Sequence, residues 1–110
     1  MNHEKLRCYG QLVGITERLA KIIDRWLRGY GYLADQLRRA MTSSILNLAE
    51  GNGKHSKPER QRFFQISLGS IAEVSACLDL CSSFSLLKPL EIREYKETLN
   101  HSYWQIKKLP

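Results

Sequence analysis

The chain has 110 residues, 43% hydrophobic and 25% charged, and a formal net charge of +6 with a pI near 9.4. Those proportions predict one globular domain with enough apolar surface to fold without staples, and they exclude a disordered chain. Three cysteines, Cys8, Cys77 and Cys81, are too few and odd in number for a disulfide framework. No unbroken apolar run approaches about 18 residues, so no membrane span is expected. Met1 to Arg7 lacks the apolar stretch of a signal peptide, and a reducing cytoplasm is the expected compartment. The basic excess is uneven: residues 1–31 carry +3, residues 52–65 another +3, and residues 66–87 carry −2.

Residues 4 to 28 are predicted as the first helix. Leu6, Tyr9, Leu12/Val13, Thr16, Leu19/Ala20, Ile23 and Trp26/Leu27 follow helical spacing, with most basic side chains off that stripe. Gly10 and Gly14 lie inside it, either weakening its first turns or letting a neighbouring helix come close. Gly29-Tyr30-Gly31 breaks the helix, and the shortness of the break predicts an antiparallel neighbour. The second helix spans about Tyr32 to Glu50 on a stripe of Leu33, Leu37, Ala40/Met41, Ser44/Ile45 and Leu48, with Gly51 as its expected terminating glycine.

Ser56-Lys57-Pro58-Glu59 has the form of a capping box and opens the third helix, predicted to run to about Ser83. It carries two apolar seams. One is Phe64, Ser67, Ile71, Val74, Leu78 and Cys81; the other is Phe63, Ile66, Ser70, Glu73, Cys77, Leu80 and Phe84. Apolar character that wide predicts either the most buried helix or one carrying a subunit interface. Pro89 opens a fourth helix to about Lys108, with Ile92, Tyr95, Leu99, Tyr103, Ile106 and Leu109 stepping by three and four. Four helices with short connections predict an all-α, antiparallel up-down-up-down four-helix bundle.

Three kinds of chemistry compete for this scaffold. Cys77 and Cys81 share a helical face, but His3, His55 and His101 are scattered, so the cysteines read as small core residues and no metal site or cofactor is expected. No nucleotide-binding, hydrolase or metalloprotease motif occurs. Glu50 and Glu73 could pair across the second and third helices, but Asn47, Glu50, Ser70 and Glu73 read better as a polar layer setting helix register, with Arg38 or Arg39 as countercharge. No catalytic residue and no enzyme activity are expected. The third possibility is phosphate binding: Arg38, Arg39, Lys54, His55, Lys57, Arg60 and Arg62 gather near one loop, and Arg18, Lys21, Arg25 and Arg28 lie on the first helix.

Tyr32…Gln36-Leu37-Arg38-Arg39-Ala40…Ser43-Ser44-Ile45…Asn47-Leu48-Ala49-Glu50-Gly51, then Ser56…Glu59 and Phe63 to Glu73, resembles the bacterial four-helix-bundle family of the 23S rRNA intervening-sequence protein. Gln-Leu-Arg-Arg-Ala, Asn-Leu-Ala-Glu-Gly and Gly-Ser-Ile-Ala-Glu stand in that family's order and spacing. Ser67 replaces a usual alanine, and the proline often found after Ile45 is absent. The family is similar to the accessory variability determinants of diversity-generating retroelements. The resemblance implies a cytoplasmic bundle assembled as a homopentameric barrel and, in the retroelement branch, binding to nucleic acid and a reverse transcriptase. Both branches stay open.

The sequence is therefore read as a non-enzymatic homo-oligomer binding RNA or DNA. The candidate contacts are Arg18, Lys21, Arg25, Arg28, Arg38, Arg39, Lys54, Lys57, Arg60 and Arg62. The alternative is a structural or protein-interaction module that binds no nucleic acid.

Overall fold

The first helix, α1, runs His3–Ile23 in a computed structural model that describes residues 3–26 and 28–110, with side chains from Lys5 onward. Its buried stripe is Cys8, Leu12, Ile15, Leu19 and Ile23, rotated from the predicted one: Leu6 is 57% exposed and Ala20 is exposed. Cys8 and Ile15 satisfy the same three-and-four spacing, and the small thiol lets α1 settle on that face. The helix stops at Ile23 rather than residue 28. Arg25 and Trp26 donate to the carbonyls of Ile22 and Ile23 at 3.0 and 3.1 Å, a tightened last turn that uses up orphan acceptors. Gly29 then takes the left-handed conformation, φ 103°, that the turn needs. Leu27, the end of the predicted stripe, lies outside the described residues.

Helix α2 spans Gly31–Asn52 and buries Leu33, Ala34, Leu37, Ala40, Met41, Ser44, Leu48 and Gly51. Gly51 is therefore not the terminating glycine. It lies inside the helix, where a Cβ would stand 2.6 Å from Phe64 Cε1 and 3.3 Å from the Arg60 carbonyl oxygen. The residue is glycine because α3 crosses there. Gly10 and Gly14 have no such neighbour: a Cβ on either would meet nothing within 4 Å.

Helix α3, Lys57–Ser83, starts as predicted, with Ser56 Oγ accepting from the Glu59 N–H at 3.3 Å. It ends at a left-handed Ser85, φ 57°, with Leu86 N–H reaching back to the Cys81 carbonyl at 2.9 Å. Helix α4, Pro89–Lys107, is capped by Glu91, whose carboxylate accepts from the Lys88 N–H at 3.3 Å. Among the described residues there is no strand.

Each helix packs on two others: α2 lies between α1 and α3, α4 between α3 and α1, and α2 with α3 is the most extensive pair. Cross-links fix the registers. Ser44 meets Ser67 and Gln36 meets Glu73; Cys8 meets Gln105 and Arg18 meets Glu94; Asp79 meets Lys96 and Gln61 meets Leu109. One core, with Phe64 and Tyr95 as its largest buried rings, fills the space between the four helices.

Among the described residues α3 alone is long and apolar enough to cross a membrane by length and mean hydropathy (1.3 over 18 residues), with 39% of that window buried inside the protein. Ser, Gly, Glu73 and Asp79 interrupt it, which is why no unbroken apolar run is visible in the sequence.

Candidate nucleic-acid interface

Where α2 faces α3, the two helices meet through small hydroxyl residues. Ser67 Oγ donates to the Ser44 carbonyl at 2.7 Å, both residues fully buried, and Ser70 Oγ donates to Ser43 Oγ at 2.7 Å. Asn47 donates to the Ser43 carbonyl and hydroxyl at 2.8 and 3.1 Å, and Gln36 donates to the Glu73 carboxylate. Hydroxyls at these positions let the backbones approach and still pair the buried Ser44 and Ser67 donors. The polar layer is thus built from Ser43, Ser44, Ser67 and Ser70 together with Asn47, Gln36 and Glu73.

Glu50 stands outside that layer. It is exposed and pairs with Lys54 one turn on, at 3.5 Å. Glu73 sits opposite Gln36, some fourteen residues or about 21 Å back along α2, so the two carboxylates do not share a site. Arg38 turns away to Asp24 and Asp35, at 3.1 and 3.4 Å. Arg39 instead lines a shallow groove of about 300 Å³ with Gln36, Ser43, Ser70 and Glu73. The signal for Ser44 and Ser67 was present in the sequence, as hydroxyl residues in apolar stripes. What it lacked was the partner, which only the crossing of the helices supplies.

The thiols on α3 are buried and free. Burial, reinforced by Cys77, pushes the Cys81 thiol up to about 11; burial and the nearby Glu73 also raise Cys77. Both are held as neutral thiols at neutral pH, the form least suited to attack or to metal binding.

The basic candidates divide among three regions. Arg18 lies midway along α1, paired with Glu94 at 3.2 Å and stacked on Tyr95 at 4.8 Å. Lys21, Arg25 and Arg28 gather toward the α1–α2 turn, with Arg38 nearby through Asp24. Lys54, Lys57, Arg60 and Arg62 occupy the opposite end, where the α2–α3 loop, the start of α1 and the finish of α4 meet. Among the described residues Lys21, Arg25, Arg28, Arg39 and Lys57 form no ion pair.

That loop end is denser in positive charge than the sequence order suggests. Arg60 donates to the His55 carbonyl at 2.8 Å and to the Pro110 carbonyl at 3.3 Å, and Gln61 Nε2 donates to the Leu109 carbonyl at 3.0 Å. These bonds bring Lys107 and Lys108 of α4 beside the loop. Lys5 of α1 lies 5.6 Å from the ring of Phe64 at the same end. Glu50 and Glu59 are the acidic residues of α2 and α3 in this region, and Glu50 is already paired with Lys54. Lys107 and Lys108 were missed by sequence reasoning because they stand some fifty residues from the loop they join. Exposed Lys57, Arg62, Lys107 and Lys108, with half-buried Lys54 and Arg60, thus gather positive charge at this end.

A second depression, a groove of about 690 Å³, runs between α3 and α4 over Ile71, Ala72, Ser75, Ala76 and Leu99, rimmed by Arg93, Lys96, Glu97 and Asp79. Its charges balance, and Lys96 pairs with Asp79. Trp104, 50% exposed, closes its end nearest the basic region.

Residues 4–108 match the family model described as 23S rRNA-intervening sequence protein. None of the curated proteins matches the chain.

Proposed function

The chain belongs to the 23S rRNA-intervening sequence protein family, and from that premise we propose that it is a non-enzymatic, homo-oligomeric bundle that binds RNA or DNA through its basic end. The observation that carries the reading is the convergence of Lys54, Lys57, Arg60 and Arg62 with Lys107 and Lys108 at one end of the molecule. Binding of this kind is dominated by backbone phosphates and does not depend on base sequence. In full, the proposal is an antiparallel up-down-up-down bundle assembled as a homopentameric barrel in the cytoplasm. The resemblance read from the sequence implies a reverse transcriptase as its protein partner.

Titration of the full chain with labelled RNA and DNA across a range of salt tests it. Binding should weaken steeply with salt. Lys57→Glu with Arg62→Glu should lower the affinity and flatten the salt slope by about one for each cation reversed. Absence of binding at low salt, or charge reversals without effect, sinks the proposal.

A second reading has its own observation. Ile66, Leu80 and Phe84, all on the outer seam of α3, are 42%, 46% and 41% exposed. Three exposed apolar side chains along one helix support a module whose work is assembly with other protein surfaces. The same titration separates the two readings, because the assembly module binds no nucleic acid.

A further inference from the structure

Apart from Arg18 over Tyr95, the cation–π pairs among the described residues all lie at the basic end. Lys54 Nζ and the Arg62 guanidinium stand 5.1 and 4.6 Å from the centre of the Phe63 ring. Lys107 Nζ stands 5.1 Å from Trp104 and 6.0 Å from Tyr103, and the two rings meet edge-on at 5.6 Å.

These two stations can serve one ligand. Phe63 and Gln61 are two residues apart in α3, hence about 200° apart around it. Phe63 is on the flank reached by Lys54 of α2, and Gln61 on the flank bonded to the end of α4. The arc between them carries exposed Arg62, Gln65 and Ile66. A path over the first turns of α3 therefore leads from one aromatic–cation pair toward the other on α4.

Phosphate binding alone does not call for an exposed Trp104 and a half-buried Phe63 beside the cations, and a duplex has no open base faces to offer them. We infer that the ligand of the basic end is single-stranded nucleic acid, whose bases stack on Trp104 and Phe63. The bases displace the covering cations, and the freed cations take phosphates. At Trp104, covered by Lys107 alone, the exchange is favourable: an exposed cation–π pair is worth about two- to fivefold in affinity, a stacked base about five- to a hundredfold. This rests on the nucleic-acid reading above and narrows it to a strand class.

The test uses the full chain with oligo(U) and oligo(dT) of roughly 20 nucleotides and a duplex of matching length. Trp26→Phe leaves Trp104 as the sole tryptophan emitter and costs no hydrogen bond, since Trp26 Nε1 has no partner. Expected results are quenching of Trp104 by the single strands and not by the duplex. Trp104→Ala should weaken single-strand binding about tenfold without changing its salt slope, and Trp104→Phe should retain binding. Equal binding of strand and duplex, with no quenching and a silent Trp104→Ala, overturns the single-strand inference and leaves the charge reading standing. No binding of either probe at low salt overturns both.

Discussion

Gly51 is where one missing atom decides how two helices pack. Its position at the end of an amphipathic stripe made it look like a terminating glycine, because helices so commonly end that way. The buried ring of Phe64 instead occupies the space its side chain would need. Gly51→Ala adds a methyl that meets the ring at 2.6 Å and a backbone oxygen at 3.3 Å. The overpacking, about 1–3 kcal/mol, outweighs the gain of about 1 kcal/mol from replacing a helical glycine. Urea unfolding should therefore show a lowered midpoint. Gly14→Ala, with nothing within 4 Å, should raise the midpoint instead. Periodicity could place both residues in helices. It could not distinguish them, because a close approach is a property of the partner helix and not of the glycine.

At the scale of the element, α3 has both the clearest boundaries and the least expected exposure. Ser56, Pro58 and Glu59 marked its start because capping chemistry is local, and the prediction agrees with the structure to the residue. α1 was less legible: its stripe is turned and its end lies at Ile23, since several three-and-four combinations fit the same sequence and the core chose among them. The two seams of α3 part company in the fold. Phe64, Ser67, Ile71, Val74, Leu78 and Cys81 are buried; in the second seam Cys77 is buried and Ser70 and Glu73 bond to α2, whereas Ile66, Leu80 and Phe84 are exposed. If that outer seam joins copies of the chain, Leu80→Asp with Phe84→Ser lowers the mass measured by light scattering and leaves the helical content of each protomer intact. Unchanged mass would assign the seam another role.

Across the whole molecule, about 45 Å long, charge is sorted toward the ends. The helices, their order and most of the core could be read from periodicity and turn chemistry. The composition of the basic end could not, because it depends on Lys107 and Lys108 meeting a loop far away in the chain. Of the other candidates, Arg18 and Arg38 are engaged in ion pairs, as Lys54 is with Glu50, and Lys21, Arg25 and Arg28 lie toward the other end. Arg25→Glu with Arg28→Glu is thus the control for the salt titration, and it should cost less affinity than reversal of Lys57 and Arg62. The tight meeting of α2 and α3 also has a consequence in time. Their packing closes a short connection, at small entropic cost, whereas the Gln11–Ser102 bond joins residues 91 apart. The α2–α3 hairpin should therefore nucleate folding, with α1 and α4 joining late. In stopped-flow measurements Ser67→Ala should mainly slow refolding and Gln11→Ala mainly hasten unfolding; the opposite pattern would move the nucleus to the α1–α4 seam.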